Sequence, residues 1–315
     1  MRPFTATCWL ALFACALIQT AAQSTTLFET QFESAEGYDP NFDLAGQRGW
    51  VMDGSGGNGL LEDFFEGFGQ QAYIGFQPPS TGSVTAVWRP VNFNPVPAGN
   101  PIVHFSVMMQ VVQSSTGGDD DFRWAVYNTN GNRLFGINFE TGTQEIWFQN
   151  EDLEFRSTGW SFDFDGTYDL HIWMDFARNS WTAMLNDIVL ANAQPITVTN
   201  STPRNLGDVD AVWFINNPVG AGNNYMVFDN YRVTAENLKA NPAILEPIGL
   251  TPEKYYRFLI HGQPDVTYSV DVTDDLNFPF ESLGEFSDPD GTFIFEDTTA
   301  PDYRRGFYRV RELIP

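Results

Sequence analysis

The chain has 315 residues, a formal net charge of -24, and 15% aromatic residues with 28 Phe. A field that acidic repels phosphate backbones and anionic lipids, so nucleic acid and membrane surfaces are excluded as expected partners, while a neutral glycan or a cation stays compatible. The 27 glycines and 19 prolines are spread along the chain rather than clustered, which points to many short strands and turns instead of a helix bundle or disorder.

Residues 1–22 (MRPFTATCWLALFACALIQTAA) carry one arginine, an apolar run from Cys8 to Ile18, and small residues up to Ala22. That is the pattern of a secretory signal peptide with cleavage near Ala22 and Gln23, so the protein is expected outside the cell or at its surface. Leu12 to Cys15 is similar to a lipobox, but Phe13 is bulky for one and the apolar run continues past Cys15, so no lipid anchor is expected. Cys8 and Cys15 are the only cysteines. The mature chain therefore has no disulfide framework, thiolate metal site or cysteine nucleophile. No later apolar run approaches the roughly 20 residues that span a bilayer, so no membrane insertion is expected. No feature sets an oligomeric state.

From 24 to 235 the strand signals are dense. Strands are predicted at Gly82–Arg89, Pro101–Gln113, Phe122–Asn128, Arg133–Glu140, Glu145–Asn150, Tyr168–Phe176, Trp181–Leu185, Ala211–Asn216 and Tyr225–Val233, with Gly-containing turns between many of them. Strands at this spacing make a sandwich or barrel, so the fold class is all-β. The pattern loosens over 236–252, which holds three prolines and reads as a linker. Residues 253–315 then carry four more strand patterns, at Tyr255–His261, Thr267–Val272, Thr292–Glu296 and Gly306–Val310, enough for a small β domain.

The clearest alternation is YDLHIWMDFARNSWTAML from Tyr168 to Leu185. Leu170, Ile172, Met174 and Phe176 point to a core, while Asp169, His171, Trp173 and Asp175 point away. Likewise Val103, Phe105, Val107, Met109 and Val111 face inward and His104, Ser106, Met108 and Gln110 outward. The outward set continues with Arg123 and Tyr127, Asn138 and Glu140, then Glu145, Trp147 and Gln149. On a single curved sheet, Trp147 and Trp173 become stacking platforms for sugar rings, ringed by Asn138, Gln149, His171, Asp175, His104, Gln110 and Arg123. The alternative is a wet or covered face without a ligand.

The hairpin NFETGTQEIW sets Glu140 opposite Glu145 across a loop from Thr141 to Gln144, with Asn138 opposite Trp147. Facing carboxylates destabilise each other unless they share a proton, hold a cation or do chemistry. A spacing of roughly 5 Å suits a retaining glycosidase, so these two are the catalytic candidates if the protein is an enzyme; a solvated turn is the plainer reading. Only three histidines exist, His104, His171 and His261, with no His-x-x-x-His, so zinc is not expected. There is no serine nucleophile elbow and no phosphate-cradling glycine loop.

Two blocks, FESAEGYDPNFDLAGQRGW at Phe32–Trp50 and MVFDNYRV at Met226–Val233, together with the paired strands at Asp169 and Trp181, make the first 200 or so residues resemble a concanavalin A-like (laminin G-like) jelly roll of secreted bacterial proteins. The C-terminal piece, with YSVDVTDDLNF at Tyr268–Phe278, the Asp290–Gly291 turn and GFYRV at Gly306–Val310, resembles a small β domain of Verrucomicrobia-type secreted proteins. The first resemblance implies a carbohydrate- or protein-binding module, with glycoside hydrolases and polysaccharide lyases in some branches. It also implies a structural Ca2+ tying the first and last strands, for which Glu33 and Asp229 stand at the matching positions. The hydrolase branch's Glu-x-Asp-x-(x)-Glu strand is absent. The lyase branch would draw on His104, His171, Tyr127, Arg123 and Gln110, but its motifs are missing and the charge of -24 opposes a polyanion. The sequence therefore points to a secreted, non-catalytic, lectin-like protein that binds an extracellular glycan.

Overall fold

In the computed structural model, which describes residues 24–315 apart from 200, 218, 238–242, 263–265, 276–277, 289–291, 303–305 and 314–315, side-chain alternation sorts the chain into antiparallel sheets. The expected signal peptide and the Asp290–Gly291 turn lie outside the described residues. In chain order the larger unit contains β1 (Ser24–Thr30), β2 (Val51–Asp53), β3 (Asn58–Glu62), β4 (Gln70–Gly75), β5 (Val84–Trp88), β6 (Ile102–Val112), β7 (Asp121–Tyr127), β8 (Arg133–Glu140), β9 (Glu145–Gln149), β10 (Phe155–Ser161), β11 (Tyr168–Asp175), β12 (Ser180–Leu185), β13 (Ile188–Pro195), β14 (Asp208–Phe214) and β15 (Tyr225–Glu236). An eight-stranded sheet runs β13-β12-β11-β6-β15-β4-β3, with β1 beside the second half of β15. A seven-stranded sheet runs β10-β9-β8-β7-β14-β5-β2. This is the all-β jelly-roll sandwich expected from the sequence.

Inward positions are where alternation puts them. Val103, Phe105, Val107, Met109 and Val111 on β6 and Leu170, Ile172 and Met174 on β11, with Phe176 just beyond it, are buried. Phe122, Trp124 and Val126 on β7 and Phe135, Ile137 and Phe139 on β8 meet them from the other sheet in one core. At its centre Tyr231 packs edge-on against Phe28, Trp50 and Phe105, at centroid distances of 5.8, 5.2 and 5.1 Å. Its hydroxyl donates to the Val209 carbonyl at 3.0 Å, so a side chain of one sheet bonds the backbone of the other. Burial pushes the phenol well above its ordinary range.

Tyr231 reaches that place through a bulge. The register of β15 shifts between Asp229 and Arg232, and Asn230 takes a positive φ of 52°, which Asn tolerates better than most residues. Met226 and Phe228 point inward before it, and Tyr231, Val233 and Ala235 after it.

Residues beyond 243 form β16 (Ile244–Leu250), β17 (Tyr256–His261), β18 (Tyr268–Thr273), β19 (Glu281–Phe286), β20 (Thr292–Asp297) and β21 (Phe307–Glu312). They pair as two three-stranded sheets, β16-β17-β20 and β19-β18-β21, around Phe258, Ile260, Val270 and Phe295. The 236–252 stretch is thus not wholly a linker, because β16 lies in it. Its proline disguised it: Pro247 sits on an edge strand, at a register shift, where proline is tolerated. Arg178, in the turn after β11, makes an ion pair with the buried Glu312 carboxylate of β21 and so joins the two units.

Replacing Tyr231 by Phe keeps the ring and removes only the inter-sheet hydrogen bond. We expect a loss of about 1–2 kcal/mol in unfolding free energy with an unchanged denaturant slope, read from urea unfolding.

Candidate functional site

The two sheets turn their inner faces to each other, so each has its own outer face, on opposite sides of the sandwich. Trp147 lies on β9 of the seven-stranded sheet and Trp173 on β11 of the eight-stranded sheet. The expected single face carrying both tryptophans therefore does not exist. Strand assignment, which local alternation cannot give, divides the candidate residues into two groups.

On the eight-stranded sheet, Trp173 stacks flat on His104, 4.7 Å between centroids at 7°, so part of its ring face is already covered. His104 Nε2 lies 3.1 Å from His171 Nδ1. Burial and the neighbouring His171 hold the His104 imidazole down at about 4. Gln110 accepts from the Thr167 hydroxyl, and Asp175 accepts from the backbone and guanidinium of Arg178, closing the turn after β11. These groups satisfy one another.

On the seven-stranded sheet the pairing is different. Arg123 stands opposite Asn138, and Asn138 opposite Trp147, so the three form a row across β7, β8 and β9. One pleat further along, Glu140 stands opposite Glu145 as the hairpin predicts, with Asp121 beside Glu140 on β7. A cavity of about 440 Å³ opens over these rows, lined by Asp121, Arg123, Asn138, Glu140, Trp147, Phe155, Phe214 and Asn216. Glu145 and Gln149 are not in its wall; the Gln149 amide donates to the Leu153 carbonyl. Asp121, Phe155, Phe214 and Asn216 were not foreseen. Phe155 belongs to an exposed edge strand with weak alternation, and Phe214 becomes outward-facing only once β14 is known to begin at Asp208.

The Arg123 side chain lies along the sheet because Gly136 is beneath it: a Cβ at Gly136 would come within 2.9 Å of the Arg123 Cδ. Its Nε donates to Asn138 Oδ1, and its guanidinium carbon stands 4.2 Å over the Phe214 ring. Burial, with a smaller contribution from Arg133, pulls the guanidinium down to about 9. With its oxygen committed to Arg123, Asn138 has Nδ2 left over, and that atom is buried without a partner among the described residues. The same is true of Trp147 Nε1.

Past Arg123 and Phe214 a second cavity of about 420 Å³ continues along the face, lined among others by Ala86, Trp88, Tyr127, Arg133, Asp208 and Asp210. Ala86 and Val212 line it, and with Ala125 they form a cluster of small side chains packed outside the main core. Small residues at outward positions leave the room that larger ones would fill. Asp208 and Asp210, two apart on β14, share a hydrogen bond. Burial raises both above the ordinary carboxylate range, Asp210 more, because Asp208 stands beside it. The sequence shows this DVD as two acids on one face, but not that the face is walled.

The two residues expected to hold calcium, Glu33 and Asp229, lie close enough for their charges to interact. Asp229 is buried and pushed up to about 6 by that burial, with Glu33 and Glu36 adding to the rise. Glu33 accepts from the Gln70 amide N–H, and Glu36 is spent on Thr30, Gln31 and Glu33. Among the described residues no three His, Cys, Asp or Glu side chains gather, so backbone carbonyls would have to complete a shell of six to eight oxygens. Nor, among them, is any helix long and apolar enough to cross a membrane.

No family model matches the chain, and no curated protein matches it. Solved structures do. A protein described as a sialidase superposes with a TM-score of 0.48 at 8% identity, over 66% of this chain and 18% of its own. The cellulose-induced protein Cip1 gives 0.45 at 11% identity, over 65% and 96% of the two chains. Lectin II from Ulex europaeus gives 0.43 at 10% identity, over 69% and 99%.

The acid pair has a consequence for stability. A carboxyl whose folded pKa lies above its unfolded one releases a proton on unfolding, so stability is greatest below the ordinary carboxylate value and falls as pH rises above about 4. We expect Asp210→Asn to flatten this decline, raising Tm relative to wild type at neutral and alkaline pH but not at pH 4. Parallel melts across that range check it.

Proposed function

We propose that the protein is a secreted carbohydrate-binding module that acts outside the cell and holds a glycan in the groove on the outer face of the seven-stranded sheet. One observation carries this reading: three aromatic side chains, Trp147, Phe155 and Phe214, line a cavity whose remaining wall is Arg123, Asn138, Asp121, Glu140 and Asn216, and two of its buried donors have no partner among the described residues. Sugar rings offer apolar faces to stack and hydroxyls to bond, and such a lining matches both. A buried polar atom without a partner costs stability, and a bound ligand would complete these two. The signal-peptide pattern of residues 1–22 supports the location.

Hydrolysis of the bound chain is a second reading, favoured by the opposed register of Glu140 and Glu145. Glu140 accepts from the Thr143 hydroxyl at 2.8 Å. A reducing-sugar assay that shows product, lost in Glu140→Gln, would establish it over simple binding.

For binding itself we expect Trp147→Ala to weaken affinity on a glycan array at least tenfold with the fold retained. Trp173→Ala, on the opposite face, should leave affinity within twofold. The reverse pattern would move the site to the eight-stranded sheet.

A further inference from the structure

The groove reading leaves open which sugar is held, and the row Arg123–Asn138–Trp147 narrows it. Each member presents hydrogen-bond donors. Asn138 Nδ2 and Trp147 Nε1 are buried and unpartnered, and the terminal nitrogens of Arg123 make no hydrogen bond among the described residues. A sugar hydroxyl both gives and takes a hydrogen bond, and is best met by a mixed lining. The cavity also carries Asp121, Glu140 and Asn216, but this row of three offers donors alone, which fits a ligand group that only accepts.

The charge on Arg123 sharpens this. The residue is 8% exposed, yet among the described residues no carboxylate lies within ion-pair distance of it. The nearest acid on its own strand, Asp121, sits two residues away with Oδ1 accepting from the backbone and hydroxyl of Thr141. A buried guanidinium without an anion is unfavourable, and the usual remedy is a carboxylate or phosphate held by its planar fork. Arg123 lines both cavities, so it stands where they adjoin, midway along the groove.

We propose that the ligand group over Arg123 is a carboxylate, and hence that the preferred ligand is a chain containing uronic acid units. The inference rests on the groove being the glycan site. Asn138 Nδ2 and Trp147 Nε1 donate to the same acidic sugar, and the aromatic rings stack on its neighbours. Asp121 and Glu140, one pleat along, accept from sugar hydroxyls. The overall charge of -24 opposes a polyanion at long range, but that repulsion is screened beyond about 8 Å at physiological salt, whereas the buried pair is not. Binding is therefore expected to hold or strengthen as salt rises from low to physiological concentration.

The test is calorimetric titration of the mature protein with oligogalacturonate and oligoglucuronate, and with the same oligomers after reduction of their carboxyls to primary alcohols. At least one acidic oligomer should bind ten or more times tighter than its reduced form. Arg123→Gln should abolish that preference, and Arg123→Lys should keep part of it. Equal or tighter binding of the reduced oligomers by wild type would overturn the inference and leave the glycan reading standing. Binding of sulfated neutral chains in preference to uronates would also overturn it. Failure to bind any of these, or any glycan on an array, would overturn both. Because the acid-versus-reduced comparison uses wild type, it stands whether or not the Arg123 variants fold.

Discussion

An aromatic layer between the two sheets is the constraint on which the larger unit depends. Tyr231, Trp50, Trp124, Phe32 and Phe228 touch one another in edge-on and tilted pairs, and Tyr231 alone bonds across to the opposite backbone. Rings in this layer fix the separation of the sheets and their relative position. Once the inner faces are committed, the pleat dictates what faces outward on every strand. The groove is a by-product of that commitment. Arg123, Asn138 and Trp147 are lined up because Phe122, Trp124, Ile137, Phe139, Ile146 and Phe148 must all point the other way.

How much of this could be read beforehand follows from the range of each signal. Alternation is local, so the inward set on β6 and β11, the hairpin at Thr141 and the opposition of Glu140 with Glu145 were legible. Sheet membership is not local. Trp147 and Trp173 look equivalent in the sequence, each an outward aromatic between apolar neighbours, and only the pairing order places them on opposite sides. The bulge at Asn230 reverses parity in the middle of β15, which a strict period of two cannot anticipate. Strands β1 to β4, β10, β13, β16 and β19 also escaped notice; all but β4 run along a sheet edge or pair with a single neighbour, and such strands need little apolar alternation and tolerate proline.

Charge in this protein is unevenly used. Most of its acidic residues face solvent, where like charges cost little and help solubility. On the outer face of the seven-stranded sheet, however, two aspartates are close enough to share a proton and one arginine is buried with no ion-pair partner among the described residues. Both arrangements forgo stability that simple rearrangement would recover, and such departures gather where a surface has a task besides folding. The histidine–tryptophan stack on the other sheet shows the opposite character, with its polar groups turned toward one another.

The pairing of β1 with β15 joins Ser24 to Glu236, and β15 also supplies the neighbour of β6, β4 and, through Tyr231, the contact with β14. A polypeptide growing from its N-terminus cannot make these contacts until its last sandwich strand has been synthesised. At ribosomal rates of about 5–20 residues per second the earlier strands wait roughly 10–40 s for their partner, a delay during which their edges are open. The order of strands along the chain thus makes the nascent molecule slow to close and dependent on whatever keeps it from associating with its neighbours in the interval.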